Sequence, residues 1–156
     1  MKRFRPIHGI ALVLLLMAAV LGAERLMSKN RNRYQRVGPD ASGRVELDVA
    51  ALAPLEVRWY RFLNAGNQEV RFLVGRDGGG ALQVAFDASE NDFKLKRGFR
   101  ADGAWIVNNK CETSIRLSEV NQRPSGCAPV PIPFRTEGDR LVLAETDLLA
   151  GWRYFR

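Results

Sequence analysis

The 156-residue chain holds a single histidine, His8, and only two cysteines, Cys111 and Cys127. His8 lies in the leader, so the rest of the chain has no imidazole. That excludes Ser-His-Asp catalysis and histidine-based metal sites from it, and no enzymatic role is expected. Carboxylates are numerous but scattered, with no pair at a spacing that marks general acid–base chemistry. Two thiols alone make a poor closed metal site, which ordinarily takes four ligands. The run Arg76-Asp77-Gly78-Gly79-Gly80 lacks the following helix and the Lys-Ser/Thr pair of a phosphate-binding loop and reads as a turn. A concentrated basic face is missing as well, although the formal net charge is +7. Residues 1–36 carry eight Lys/Arg against Glu24, whereas residues 37–156 carry sixteen basic and sixteen acidic side chains. The surplus belongs to the leader, and nucleic-acid binding is not expected.

What the leader does contain is a membrane signal. Lys2, Arg3 and Arg5 precede the apolar run Gly9–Ala23, which Glu24-Arg25 closes. Such a run lies between the core of a signal peptide and a short membrane span. Leu21 sits poorly at the −3 position for a cut after Ala23, which favours an uncleaved signal-anchor over residues 1–27. A helix over Ile7–Met27, at about 1.5 Å per residue, would just cross a ~30 Å hydrocarbon core. Residues 28–43 then form a basic juxtamembrane linker and residues 44–156 one domain. The cluster Arg25, Lys29, Arg31, Arg33 and Arg36 argues by itself for a cytoplasmic domain, but short N-terminal anchors usually keep their start inside. The expected location is therefore the inner (plasma) membrane, single-pass, with the domain on the periplasmic side.

Along the domain, apolar alternation predicts strands at Arg44–Leu47, Leu55–Leu63, Gln68–Val74, Ala81–Phe86, Ala104–Val107 and Arg140–Ala144. Val70, Phe72 and Val74 share one face. Asp48 caps a turn that Pro54 ends, a helical turn is predicted over Leu117–Val120, and Thr146 is expected to cap a last helix that Gly151 closes. Val130-Pro131-Ile132-Pro133-Phe134 reads as an edge strand or polyproline segment, since prolines at alternate positions donate nothing to a ladder. The fold class is mainly β (α+β): one antiparallel sheet or small barrel with two or three short helices behind a single transmembrane helix. A weak echo, Arg44–Leu47 before Trp59–Phe62 and Arg140–Leu143 before Trp152–Phe155, suggests two strand-turn units framing the sheet from opposite sides.

Cys111 and Cys127 have fifteen residues between them, in a domain expected outside the cytoplasm. A disulfide between them is the simplest expectation and would stabilise by roughly 3 kcal/mol on the loop-entropy model. The clusters Trp59-Tyr60-Phe62 and Trp152-Tyr154-Phe155 suit core and rim packing. If exposed, Trp59, Tyr60, Trp152 and Tyr154 would anchor a partner or the headgroup region.

The order of several short motifs resembles the FtrD-like membrane iron–sulfur (metal-binding) proteins. These carry Asp-Ala-Cys-x-x-Cys, Lys-x-Gly-Tyr, Cys-Asn-x-Cys and Gly-Gly-Cys-x-Pro-x-Pro in sequence. Here the corresponding stretches read Asp87-Ala88-Ser89-Glu90-Asn91-Asp92, Lys96-Arg97-Gly98-Phe99, Asn108-Asn109-Lys110-Cys111 and Ser125-Gly126-Cys127-Ala128-Pro129-Val130-Pro131. The resemblance covers residues 44–155 and implies a membrane-bound metal protein of an iron or copper uptake or redox complex. Of the five cysteines it implies, three are replaced by Ser89, Asp92 and Asn108. Two thiolates do not hold an iron–sulfur cluster in the ordinary way. The resemblance thus implies either a scaffold without a cofactor, docked on that complex, or a reduced site in which Cys111, Cys127, Asp92 and Asn108 take one copper, iron or zinc ion and relay it or electrons.

Overall fold

Val57–Leu63 (β3) and Glu69–Arg76 (β4), which bury most of their apolar side chains, build the centre of the β domain. The computed structural model describes residues 15–17, 33–122 and 126–156. The chain divides into two units, residues 1–33 and 34–156. In the first, Leu15, Leu16 and Met17 are helical and exposed. Among the described residues no helix is long and apolar enough to cross a membrane. Apart from residues 15–17, the predicted anchor lies outside the described residues.

The second unit is mainly β, with three small sheets rather than one. Tyr34–Val37 (β1), β3, β4 and Leu82–Phe86 (β5) form the largest, in the order β1-β3-β4-β5. All its pairings are antiparallel except β1 with β3, where Tyr34 stands opposite Trp59. Arg44–Asp48 (β2) joins Arg135–Glu137 (β9) and Arg140–Ala144 (β10) in the second sheet, order β2-β10-β9. Phe99–Asp102 (β6), Trp105–Asn108 (β7) and Ser114–Arg116 (β8) form the third. The two halves of the sequence echo do not flank the large sheet, because β2 and β10 pair with each other, Leu141 opposite Leu47.

Both faces of β4 are buried. Val70, Phe72 and Val74 enter one apolar cluster with Val45, Leu47, Leu141, Leu143 and Leu148. Leu73, with Trp59 and Ala85, enters another with Phe99, Ile106 and Leu117. The period-2 geometry of a strand sends successive side chains to opposite faces, so the large sheet separates two cores. Burial of this kind is the main favourable term of folding.

The proline segment covers the free edge of β5. Phe86 N–H donates to Val130 O (2.8 Å), Val130 N–H to Ala88 O (3.2 Å) and Ile132 N–H to Val84 O (3.1 Å). The segment's two donors thus face β5, and Pro131 and Pro133, which have none, fall at the alternate positions. Asn121 completes this edge: its Oδ1 accepts from Val84 N–H at 2.8 Å and its Nδ2 donates to Val84 O at 2.9 Å. Removing it orphans a donor on a fully buried residue, so Asn121→Ala is expected to cost about 1–3 kcal/mol. Urea denaturation checks this; an unchanged midpoint would show that the amide contributes nothing to the edge.

The last helix, Glu145–Ala150 (α1), is not capped by Thr146. Ala144 holds the N-cap position without a side-chain bond, and Glu145 N–H donates to Gly43 O at 2.8 Å instead. Gly151 does follow it. A Cβ there would lie 2.3 Å from the Phe86 ring, so close packing of helix end on sheet requires glycine.

Candidate metal centre

Three loops meet beside the third sheet, and local hydrogen bonds fix each of them. In the loop after β5, Ser89 Oγ accepts from Asp92 N–H at 3.2 Å, which folds residues 89–92 into a turn and sets Asp92 ahead of a 3-10 turn over Phe93–Leu95. In the loop after β7, Asn108 Oδ1 accepts from the N–H groups of Lys110 (2.8 Å) and Cys111 (3.3 Å). Asparagine favours such turns because its short side chain imitates a backbone carbonyl. The third loop carries Cys127. Asn108 Nδ2 ties it down through Cys127 O at 2.9 Å, and Asn91 N–H does so through Gly126 O at 3.1 Å.

These loops bring Asp92, Cys111 and Cys127 together, with one ligand atom from each within 4.8 Å of the others. Cys111 Sγ donates to Asp92 Oδ2 at 2.8 Å, Cys127 Sγ lies 3.6 Å from the same oxygen, and the two sulfurs are 2.9 Å apart. Lys110 Nζ holds the other oxygen, Oδ1, at 2.5 Å. The carboxylate is thereby divided, one oxygen for the ammonium and one for the sulfurs. Its side chain is 8% exposed.

The electrostatics follow from these contacts. The Cys111 thiol and then Lys110 hold the Asp92 carboxyl below its usual range. In return the carboxylate, and secondly Cys127, push the Cys111 thiol up to about 12, since the proton it donates is shared with an anion. Lys110 is raised by Asp92. A metal ion at Cys111 would take the place of the proton shared with Asp92.

The expected disulfide is not formed. Both cysteines are free thiols, and 2.9 Å is well beyond the ~2.05 Å of a sulfur–sulfur bond. Both sulfurs are turned onto Asp92 Oδ2, an acceptor that a disulfide could not use. Asn108, expected as a fourth ligand, spends its amide on Cys127 O and on the loop backbone. It lies 3.5 Å from Asp92 Oδ2 and positions the other three. The aromatic anchors need a larger correction. Trp59, Tyr60 and Tyr154 are buried, at 8%, 4% and 5% exposure, within the two cores. Tyr60 stacks on Phe72 at 5.3 Å and Tyr154 packs on Phe86 and Phe93, so these rings pack the interior and present no docking face. Only Trp152 is partly exposed.

Lys110 was not singled out by sequence, although it lies within the Asn-Asn-Lys-Cys stretch. Nor was the contact that holds the base of the first loop, where Asp87 accepts from Phe99 N–H at 2.7 Å and from the Tyr34 hydroxyl.

Two thiols and one carboxylate, presented by three loops of a small β domain, offer three ligand atoms of the kind that can hold a metal ion. The family model described as membrane iron-sulfur containing protein, FtrD-like, matches residues 53–155, and the chain belongs to this family. No curated protein and no solved structure matches it. The iron–sulfur cluster in the family's description does not fit the residues present. Cluster iron is held by thiolates, commonly four, and the chain has two, with Ser89 Oγ and the Asn108 amide committed to loop hydrogen bonds. A single ion fits better. The two thiolates and the carboxylate would bring three negative charges and Lys110 one positive, so a divalent ion would leave the site neutral. Asp92, Cys111 and Cys127 would hold such an ion and leave room for a further ligand.

Proposed function

We propose that this chain is a membrane-associated accessory protein of a metal-uptake or redox system, and that its domain takes up and passes on one metal ion at Asp92, Cys111 and Cys127. The observation that carries this reading is the convergence of both thiols on Asp92 Oδ2, at 2.8 and 3.6 Å. A domain that had become scaffold alone would have no physical need for three donors on one point. The mixed soft and hard set suits copper, iron or zinc. Asn108 and Lys110 orient the ligands from behind, as outer partners do in metal sites. The role is binding rather than catalysis, in line with the lack of any histidine beyond His8. Support for the membrane placement comes from the family's description and from the charged, apolar leader; the inner membrane and the periplasmic side belong to this proposal.

The test is a titration of the reduced, metal-free full-length chain with Cu(I), Fe(II) and Zn(II) in turn. One equivalent is expected to bind for at least one of them, and failure of all three removes the reading. Cross-linking in native membranes should then recover a metal permease or redox subunit. Recovery of the chain alone would count against the accessory role.

A further inference from the structure

A narrow cleft adjoins the metal centre and shares Asp92 with it. Arg71, Lys96, Arg97 and Lys110 line it, against only two carboxylates, Asp87 and Asp92. Both carboxylates are already engaged, Asp87 by Tyr34 and Phe99 and Asp92 by Lys110 and Cys111. Three of the cations are not satisfied in this way. Lys96 and Arg97 are exposed and form no ion pair among the described residues. Arg71 has only Glu69 near it, at 3.9 Å from Nε, and that Nε is a buried donor without a hydrogen-bond partner among the described residues.

Arg71 is held in place by other means. Its guanidinium lies 5.8 Å from the centre of the Tyr34 ring and 5.6 Å from that of Phe155. Cation–π contact on two sides fixes the group without using its N–H donors. A guanidinium held in this way keeps N–H donors for an oxyanion, and a charge-assisted N–H bond to a carboxylate oxygen is among the stronger hydrogen bonds a protein makes. Arg97 is steadied at its backbone, where its carbonyl accepts from Asn109 Nδ2 at 3.0 Å. The cleft holds a space of about 10 Å3, room for one oxygen atom and no more. A ligand would therefore place one carboxylate oxygen inside and remain outside with the rest of its body.

We propose that this cleft is a carboxylate subsite for a small polycarboxylate metal chelate: one carboxylate seats against Arg71, Lys96 and Arg97 cover its remaining charge, and the chelated ion is brought beside Asp92. This deepens the reading of the metal centre and rests on it for the transfer step alone. In that step the ion exchanges chelate oxygens for the Asp92 carboxylate and the two sulfurs, the two thiol protons pass to solvent, and the free polycarboxylate leaves. No electron is transferred.

The test is calorimetric titration of citrate, as the probe, into the metal-free full-length chain at low ionic strength. One-site binding is expected, weakened at least tenfold by Arg71→Gln. Arg71 also packs against two rings, so Arg97→Gln, an exposed position, serves as the second variant; it should weaken citrate several-fold with an unchanged melting temperature. Absence of citrate binding, or equal affinity in parent and both variants, overturns the subsite. Tighter binding of inorganic phosphate than of citrate overturns the carboxylate assignment. Zinc titrated alone separates the two readings. Equal zinc affinity in parent and Arg71→Gln is expected, keeps the metal centre intact and assigns the lost citrate binding to the cleft, whereas zinc binding lost with Arg71 overturns the division between the two sites.

Discussion

Replacing Cys111 and Cys127 together by serine is expected to abolish stoichiometric metal binding by the full-length chain, with apparent affinity falling at least about 100-fold. Even outer-shell changes commonly weaken metal sites by about 10–100-fold, and here both soft donors go at once. Nothing else in the chain replaces them: there is no third cysteine, and the sole histidine is His8. Asp92 would remain with Lys110 on its other oxygen, a single hard ligand already partly neutralised. Because no disulfide joins the pair, the same variant should melt within a few degrees of the parent when both are metal-free and reduced. Equilibrium titration against a competing chelator reads the first effect and calorimetry the second. Metal binding that survives in the double variant would place the site elsewhere.

Gly98→Ala carries the second large effect, on stability. Gly98 has φ +60°, and a Cβ there would lie 2.5 Å from both oxygens of the Asp87 carboxylate. A left-handed alanine costs about 1–2 kcal/mol by itself. The clash then pushes Asp87, which is buried, off Phe99 N–H and the Tyr34 hydroxyl. A buried hydrogen-bonding group left without its partner adds about 1–3 kcal/mol. The expected total is about 2–5 kcal/mol, seen as a fall in melting temperature of roughly 10 °C or more. Wild-type melting of the variant would mean that the Asp87 contact does not pin the loop to β1 and β6. The effect should also reach the metal centre, since the loop from Asp87 leads directly to Asp92.

Both predictions depend on features that differ in how far the sequence reveals them. The hairpin of β3 and β4 was legible because Val70, Phe72 and Val74 recur at every second position beyond an Asn-Ala-Gly-Asn turn, and β10 because four apolar residues in five follow a Gly-Asp turn. Four strands were not, and one of them, Ser114–Arg116, is three residues long with both ends exposed. Tyr34–Val37 sits in what reads as a basic linker, and its partner β3 lies more than twenty residues away, so only tertiary pairing makes it a strand. Phe99–Asp102 and Arg135–Glu137 expose most or all of their side chains and lack the alternation that marks a half-buried strand.

The site divides the same way. Cys111, Cys127 and Asp92 stood out by residue type and by their place in the motifs, and the loops bring them to one point. The role of Asn108 as an orienting amide was not visible, because a ligand and a positioning residue look alike in a sequence. Lys110 and Arg71 were hidden for a further reason: their importance lies in the partners they have and lack, Asp92 for one and, for the Nε of the other, no hydrogen-bond acceptor among the described residues. The buried Trp59, Tyr60 and Tyr154 show the converse, since aromatic clusters read equally as core or as docking surface until their neighbours are known.

X-ray absorption spectroscopy of the metal-loaded full-length chain bears most directly on the metal centre. The account predicts two sulfur neighbours with lighter oxygen or nitrogen donors around a single metal, and loss of the sulfur shell in the double serine variant. A sulfide-bridged shell with a second metal in it, or a coordination sphere without sulfur, would contradict it.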